Sequence, residues 1–391
     1  MATHTQTRIA ATSGLAMMGL MTLSHFANDG WTALLSPLLP AIQASYGVSI
    51  ADTAVLVAIL AFAGSMLQPL LGILGDHIDR RLLAAFGPVL TGAGLTLIGY
   101  APNFFVLGAL VLLGGLGSAI FHPSGAAYIA LSARPDQRGL FVSLFSAGGM
   151  AGMALSPLVA AAMSLRTLPL LLPVGIVLGV VTYLILPPSQ RAAGQSRTLG
   201  DYLAVFRGPL RWLWLMSVLR SLSSVSYMSL IGFILQARGA DAHTSPSLAV
   251  YNLASAIGGI IGGRLSDRIG RTVVLRSSIL ITIPLFLGLI YSSPSQWWYY
   301  PLTALVGALV TANIPVSIVT AQEYAPHNIA TASALMMGFA WGTAGVLYLL
   351  IGKLADATSP VTAMAAAIAV LLPAFFITTR LPEPQRTTSV G

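Results

Sequence analysis

Long apolar stretches alternate with short polar breaks along almost the whole chain. A helix that crosses the hydrocarbon core of a bilayer needs about 20 mainly apolar residues. The stretches are long enough for this, and they lack the polar–apolar alternation of a membrane-barrel strand. The pattern therefore predicts an all-α polytopic membrane protein with twelve transmembrane helices, at residues 15–40, 52–75, 83–100, 104–130, 139–164, 168–187, 210–236, 246–264, 273–291, 297–322, 328–352 and 360–380.

The longest polar break, residues 188–209, separates the sixth and seventh predicted spans. It contains Ser, Gln, Arg and Gly and little that could form a core. We interpret it as a cytoplasmic linker between an N-terminal six-helix bundle, residues 1–187, and a C-terminal six-helix bundle, residues 210–391. The first apolar stretch is too long for a cleaved signal peptide and leads into further helices, so it is interpreted as an uncleaved span.

Composition narrows the class of protein. Only 8% of the residues are charged, against roughly 25% in ordinary soluble domains. Because 56% of the residues are hydrophobic, the chain cannot cover the surface of a soluble globule, which excludes a soluble enzyme and a disordered chain. The absence of cysteine excludes disulfides, thiolate nucleophiles and Cys-based metal sites.

The basic residues predict the orientation of the chain in the membrane. Cytoplasmic loops of membrane proteins carry an excess of Lys and Arg. With the N-terminus inside, fifteen of the 19 basic residues fall in cytoplasmic segments, and only Arg166, Arg238 and Lys353 fall in external loops. Both termini are therefore predicted to be cytoplasmic. The net charge of +8 is a topology signal that implies no nucleic-acid partner.

The two halves of the chain share sequence motifs in the loops between their predicted spans. Residues 72–81 read GILGDHIDRR after the second span, and residues 263–271 read GRLSDRIGR after the eighth. The offset between Gly72 and Gly263 is 191 residues, and the same offset relates Pro135 to Pro326. Such a repeat predicts two pseudo-symmetric bundles that rock about a site between them, as in secondary transporters.

The repeated loop resembles the hallmark of the major facilitator superfamily, most clearly in its second copy. The resemblance extends over the whole chain in helix number, linker position and repeat. It implies that Asp76 and Asp267 latch the cytoplasmic side closed, since an anion is favoured at a helix N-terminus. The expected gating residues are Asp76, Asp267, the loop arginines Arg80, Arg268 and Arg271, and Glu323 near the cytoplasmic end of the tenth span. The arginines could also be simple positive-inside anchors, and Glu323 an interfacial anion.

Three further segments resemble the fosmidomycin-resistance branch of drug efflux proteins. Residues 23–30 read LSHFANDG, residues 117–123 read GSAIFHP and residues 219–221 read LRS, with QE at residues 322–323. This resemblance implies proton-coupled drug efflux across a bacterial inner membrane, usually by a monomer. The proton gradient would then be the energy source, with no cofactor.

Two charged residues, Asp29 and Arg220, lie well inside predicted spans. A charge at the bilayer centre costs about 2.5–3.5 kcal/mol on insertion scales, so such residues are usually functional. The two are 191 residues apart, at equivalent positions of the repeat. In the superfamily their helices face one another across the central cavity. We therefore expect both to line that cavity and to interact directly, through water or through substrate. The structural alternative is an ion pair that only fixes packing.

Proton coupling needs a group that changes its protonation state. Asp29 is the only acid expected inside the membrane, and His25 lies one turn before it on the same helix face. His122 lies in the fourth span, and histidine titrates near physiological pH. The expected proton-coupling residues are therefore Asp29, His25 and His122. In a structural alternative, His122, which precedes Pro123, caps a carbonyl that the proline frees.

Other polar positions inside spans are of the kind that binds substrate or joins helices. Together with Asp29 and Arg220, the substrate-binding candidates are Gln68, Tyr227, Tyr251, Asn252, Asn313 and Trp341. Gly148, Gly149 and Gly152 resemble the glycine-rich stretch of antiporters, and small residues at this spacing also allow close helix packing.

The predicted function is proton-coupled export of a drug or amphiphilic small molecule by alternating access. Alternatives within transporters are a symporter or uniporter for a small organic anion, and a lipid or lysolipid exporter. A membrane-embedded enzyme is disfavoured, because His25 and His122 lack further ligands at the spacing of a zinc site. No metal is expected.

Overall fold

A computed structural model describes residues 2–68, 70–71, 78–134, 137–188 and 208–383, with only the backbone for residues 2–13, 138, 327 and 330. Every regular element in those ranges is helical. Ten helices of the described part are long and apolar enough to cross a membrane, and a shorter apolar helix covers Ile50–Met66. Each of the twelve predicted spans therefore contains a helix, and an all-helical, multi-pass architecture is confirmed.

The described part of the first half contains seven helices. Their bounds are α1 Ala2–Ala33, α2 Leu35–Tyr46, α3 Ile50–Ala61, α4 Arg80–Thr96, α5 Phe104–Ser132, α6 Arg138–Ala162 and α7 Leu172–Ile185. A π-helical turn, Phe62–Met66, continues α3. The 3-10 turn Leu97–Tyr100 continues α4, and another, Leu168–Leu171, leads into α7.

Between residues 208 and 383, the second half contains eight helices. Their bounds are α8 Pro209–Gln236, α9 Thr244–Ile269, α10 Arg271–Tyr291, α11 Tyr299–Tyr324, α12 Ile329–Ala334, α13 Ala340–Ala357, α14 Pro360–Ala369 and α15 Leu371–Thr378. A π-helical turn, Leu335–Phe339, joins α12 to α13. The 3-10 turns Asp241–His243 and Pro326–Asn328 precede α9 and α12.

Local sequence explains where several helices begin and end. The side chains of Asn103 and Ser359 accept hydrogen bonds from backbone N–H groups of the first turns of α5 and α14, as N-cap residues do. Gly270 separates α9 from α10 with a φ of 104°, which a side chain would disfavour. The predicted ends of the spans agree less well with the structure than the number of spans does. The first span, predicted to end at residue 40, breaks at Leu34 and continues to Tyr46.

The chain divides into two compact units. One comprises Met1–Ala41 and Phe62–Ser196, and the other comprises Ile42–Ala61 and Arg197–Gly391. These units differ from the predicted bundles at residues 42–61, which group with the second unit. The predicted linker lies almost wholly outside the described residues. The division at 188–209 and the pseudo-symmetry of the bundles stay predictions.

Glycine allows close helix packing in the first unit. A Cβ at Gly148 of α6 would lie 2.6 Å from the Thr22 carbonyl oxygen of α1. A Cβ at Gly152, one turn later, would clash with the Phe26 carbonyl oxygen. The packing role of this glycine stretch is therefore confirmed, and it brings α6 against the polar face of α1.

Helix α8 is the most enclosed element of the second unit. In the most apolar stretch of this helix, 94% of the residues are buried. It packs against α13, α14 and α15, and also contacts α11. Because most of its faces are covered by protein, many of its polar side chains are buried inside the unit.

Candidate functional site

The carboxylate of Asp29 lies between two imidazole rings in the first unit. His25, one turn earlier on α1, places Nε2 3.0 Å from Asp29 Oδ2. His122 of α5 places Nε2 3.2 Å from Asp29 Oδ1. The Asp29, His25 and His122 side chains are 15%, 10% and 27% exposed, respectively. The structure thus brings together the three residues predicted for proton coupling, which we call the Asp29 cluster.

The other ring nitrogens fix the tautomers of the two histidines. His25 Nδ1 lies 2.8 Å from the Phe145 carbonyl oxygen of α6, and His122 Nδ1 lies 2.8 Å from the Ser118 carbonyl oxygen. A carbonyl only accepts, so each Nδ1 carries the hydrogen and donates it. Each Nε2 therefore faces Asp29 as a second acceptor, unless a proton lies between the nitrogen and the oxygen.

The geometry determines how many contacts each added proton satisfies in the Asp29 cluster. With no added proton, the Asp29 cluster has a charge of −1 and two contacts in which acceptors face each other. One added proton makes the cluster neutral and turns one contact into a hydrogen bond. A second proton satisfies both contacts and gives a charge of +1. Burial disfavours net charge, so the singly protonated cluster suits its surroundings best.

The same groups could also hold a transition metal. Two imidazoles and a carboxylate are common donors for such ions, and the three donor atoms lie within 4.8 Å of one another. Metal-binding histidines usually donate their other N–H to a carbonyl or carboxylate, as both do here. The prediction of no metal therefore needs a direct test with a chelator.

A second layer of hydrogen bonds holds the Asp29 carboxylate, and none of its members was a predicted site residue. Asn28 Nδ2 donates to Asp29 Oδ1 at 3.0 Å and to Ser118 Oγ at 3.1 Å. Asn28 Oδ1 accepts from Thr91 Oγ1 of α4 at 2.9 Å. Asn28, directly before Asp29, could have been found as a second polar residue inside a span. Thr91 and Ser118 gave no such signal.

Helix α6 closes one side of the Asp29 cluster. The Phe145 ring stacks on the His25 ring, with centroids 4.1 Å apart. A Cβ at Gly149 would lie 2.6 Å from Asp29 Oδ2 and 2.6 Å from His25 Nε2. The absence of a side chain at Gly149 is therefore what leaves room for the acid–imidazole contact.

Arg220 lies on α8 in the second unit and is 3% exposed. Its Nη1 donates to the Val310 carbonyl oxygen of α11 at 3.3 Å, and its Nη2 donates to Ser221 Oγ at 2.7 Å. Its Nε is buried and has no hydrogen-bond partner. The prediction that Arg220 interacts with Asp29 concerns two different units and stays a prediction.

Comparison with known proteins decides the family. The sequence profile of the Major Facilitator Superfamily matches residues 20–348. The chain belongs to the Major Facilitator Superfamily. It is 28% identical over 369 residues to the fosmidomycin resistance protein of Escherichia coli (strain K12), covering 89% of this chain and 88% of the relative. It is 28% identical over 380 residues to the uncharacterized MFS-type transporter YfnC of Bacillus subtilis (strain 168), covering 93% and 92%.

Solved structures agree on the fold of this transporter. A bacterial homolog of the human lysosomal transporter Spinster superposes with a TM-score of 0.78 at 14% identity, covering 94% of this chain and 98% of the homolog. The resemblance inferred from the repeated loop and from the LSHFANDG segment is thereby confirmed. The relatives and structural neighbours are transporters, which are not enzymes.

The second hallmark loop of the transporter forms a charge network around Arg271. The Arg271 guanidinium contacts Asp267 Oδ1 at 2.6 Å and Glu323 Oε1 at 3.0 Å, and its Nε donates to Glu323 Oε2 at 3.3 Å. Glu323 is therefore joined to Arg271 by a bidentate contact that ties α11 to the start of α10. Arg268 is exposed. The gating roles of these residues stay predictions.

Glu383, at the end of the described chain, was missed by sequence reasoning. Its carboxylate accepts from the backbone N–H groups of Arg271 at 2.8 Å and Thr272 at 3.2 Å, and from the Thr272 hydroxyl. It thus caps α10 from 111 residues away. Nothing in the local sequence around Glu383 could have indicated this contact.

The first hallmark loop is described only from residue 78 onward. Asp76, a predicted latch residue, lies outside the described residues. Asp79 Oδ1 accepts from the Arg81 backbone N–H at 2.9 Å and caps α4. Arg80, predicted as a gating residue, begins α4 and is half-buried.

Four of the remaining substrate-binding candidates, Gln68, Tyr227, Tyr251 and Asn313, have contacts inside their own units. Gln68 Nε2 donates to the Gly64 carbonyl oxygen at 2.6 Å. Tyr251 and Ser224 hydroxyls lie 2.8 Å apart, and the Tyr251 and Tyr227 rings are 4.7 Å apart. Asn313 Oδ1 accepts from Ser278 at 3.1 Å. Asn252 is buried and Trp341 is half-buried. The roles of these residues in substrate binding stay predictions.

Proposed function

We propose that this chain is a proton-coupled secondary transporter that exports a drug or an amphiphilic small molecule by alternating access. The Asp29 cluster is the proposed proton site, and Arg220 belongs to the proposed substrate site with the other polar candidates. The proposed setting is a bacterial inner membrane, with both termini cytoplasmic and a single chain as the working unit. The proton gradient supplies the energy.

One observation carries this proposal: both Asp29 oxygens face an imidazole Nε2 whose partner Nδ1 is held by a backbone carbonyl. Two contacts that need a proton, inside a membrane span, make a site that gains stability when it takes up a proton. Intramembrane carboxylate and histidine groups of this kind are typical of proton relays in pumps and transporters.

The proposed cycle couples this site to substrate. The Asp29 cluster takes up a proton from the outside, and after the bundles rock it releases that proton to the cytoplasm. Substrate binds from the inside once the cluster is deprotonated. The name of the fosmidomycin resistance protein supports the outward direction, because resistance follows from removal of a drug.

A two-stage experiment tests the proposal. A drug-sensitive strain expressing the transporter is screened against a panel of antibiotics that includes fosmidomycin, with and without a protonophore. A compound to which it confers resistance is then followed in proteoliposomes under an imposed pH gradient. Asp29→Asn is expected to lower gradient-driven transport at least tenfold, because an amide cannot exchange the proton.

The matched control is Asp241→Asn, the same change at an exposed carboxylate, and it is expected to transport like the unmodified protein. Full gradient-driven transport by Asp29→Asn would overturn the proposed proton site. Resistance that survives the protonophore would overturn proton coupling. Loss of activity on adding EDTA, restored by a transition metal, would reassign the Asp29 cluster as a metal site.

A further inference from the structure

Arg220 is a charged side chain with no counter-charge among the described residues of its own unit. It lies within α8, Pro209–Gln236, eleven residues from the first residue of the helix, and is 3% exposed. Placing a guanidinium so deep in a span is costly unless a partner compensates its charge. Structural ion pairs in proteins meet this need with a carboxylate.

The described acids of the second unit are engaged elsewhere or exposed. Asp356 accepts from the backbone N–H groups of Ile50 and Ala51, and Asp52 from that of Ser49. Asp267 and Glu323 contact Arg271, and Glu383 caps α10. Asp241 is exposed. Within the described part of this unit, no carboxylate lies within ion-pair distance of Arg220.

The donors of Arg220 are only partly used. A guanidinium carries five N–H groups and no acceptor. Its recorded partners, the Val310 carbonyl and the Ser221 hydroxyl, are neutral, and Nε has none. Neutral acceptors satisfy donors but supply no negative charge, so the described surroundings of Arg220 provide no anion.

Neighbouring groups extend this supply of donors. Asn313 and Ser317 follow Val310 on α11 at i+3 and i+7, and both are buried. Asn313 Nδ2 and Ser317 Oγ have no hydrogen-bond partner. Ser224 and Tyr227 follow Arg220 on α8 at i+4 and i+7, which places them on the same helix face. Tyr251 reaches this face by its contact with Ser224.

We propose that Arg220 anchors an anionic group of the transported substrate, a carboxylate or a phosphate, and that the Tyr227–Tyr251 pair packs against its apolar part. A planar guanidinium suits both anions, because it donates two parallel hydrogen bonds to their oxygens. The inference rests on the proposed function as a transporter but not on proton coupling. It narrows the substrate class from amphiphiles in general to amphiphilic anions.

The test measures binding to the purified full-length protein in detergent, without any gradient. The probes are 4-phenylbutyrate and 4-phenylbutyl phosphate, with 4-phenylbutanol and 4-phenylbutylamine as matched neutral and cationic compounds. Binding is followed by the melting temperature, read from the fluorescence of the six tryptophans. The two anions are expected to stabilise the protein, and the alcohol and the amine are not.

Arg220→Gln is expected to weaken binding of the anions by about tenfold or more, the effect of losing a charge-assisted hydrogen bond. Arg220→Lys keeps the charge but loses the planar fork, so its affinity should be intermediate, with the preference for anions retained. The control is Arg211→Gln, the same change at an exposed position of the same helix, and it should bind like the unmodified protein. Should Arg220→Gln not fold, Arg220→Lys carries the comparison.

Three results would overturn the inference: equal stabilisation by the anions, the alcohol and the amine; an unchanged anion response in Arg220→Gln or Arg220→Lys; or no stabilisation by either anion. Because these measurements use no gradient, they stand apart from the test of Asp29. Loss of the Arg220 site would leave proton coupling intact, and loss of proton coupling would leave anion binding intact.

Discussion

Asp29 and Arg220, the two charged residues well inside predicted spans, occupy equivalent positions of the repeat but have different kinds of neighbours. At the offset of 191 residues, Asp29 corresponds to Arg220, His25 to Met216, His122 to Asn313 and Gly149 to Ala340. In the first unit both oxygens of the acid face imidazoles. In the second unit, the partners of the cation among residues 208–383 are neutral. These surroundings are the basis of the two proposals, proton exchange at Asp29 and anion binding at Arg220.

The hallmark loops show the same divergence. Arg81 and Thr272 are 191 residues apart, and the backbone N–H of each lies in the first turn of its helix. Asp79, two residues earlier, caps the first, whereas Glu383 of the C-terminal segment caps the second. The position equivalent to Asp79 is Gly270, whose φ of 104° suits a glycine. Both helix starts therefore receive a carboxylate, one local and one remote.

The largest effect is expected from exchanging the two charges, as Asp29→Arg with Arg220→Asp. An arginine at position 29 would face two histidines, and an aspartate at position 220 would lie in a buried site. Unpaired buried charges cost about 3–5 kcal/mol, so the double variant should be strongly destabilised and inactive. The melting temperature in detergent checks this. A stable, active double variant would show that the two residues act simply as an ion pair.

Gly149→Ala is expected to have the next largest effect. Its methyl group would lie 2.6 Å from both Asp29 Oδ2 and His25 Nε2, and overpacking costs about 1–3 kcal/mol. Gradient-driven transport should fall strongly while the melting temperature falls only slightly, because the displaced atoms are those of the proton site. The control is Gly139→Ala on the same helix, where an added Cβ meets nothing within 4 Å. Equal gradient-driven transport by Gly149→Ala and Gly139→Ala would contradict the assignment of the Asp29 cluster as the proton site.

His122→Asn places in the first unit the residue type found at the equivalent position of the second. It removes one of the two contacts that hold a proton on Asp29. We expect gradient-driven transport to fall by about tenfold, within the range for losing one acid–base group, while anion binding is unchanged. His243→Asn, in a 3-10 turn outside the site, is the control. Unimpaired transport by His122→Asn would reduce His122 to the structural role of capping the Ser118 carbonyl.

The smallest effect is expected at the helix caps. Glu383→Ala should lower the free energy of unfolding by about 1 kcal/mol, as for other lost caps, and Asp79→Ala should do the same. Because the two caps lie in different units, their effects should add in the double variant. Denaturation of the purified protein in detergent measures all three. A much larger loss for Glu383→Ala would show that its contact also holds the Arg271 network together.

Sequence reasoning selected candidate residues where a residue type is rare in its setting. Asp29, Arg220 and His25 were selected because charge and polarity inside an apolar span are costly and therefore informative. Asn28, Thr91 and Ser118 were not found, because small polar residues are common in membrane helices. Glu383 was not found because its partners lie far away in the chain.

The sequence by itself determined the membrane class, the helical spans, the repeat and the family, because these depend on local hydropathy and on spacing along the chain. The tertiary structure alone decided which groups meet. It placed His122 of α5 against Asp29 of α1, directed both Nδ1 atoms to carbonyls, and left Arg220 without a carboxylate among the described residues of its unit. Such contacts depend on helix rotation and crossing, which hydropathy does not encode.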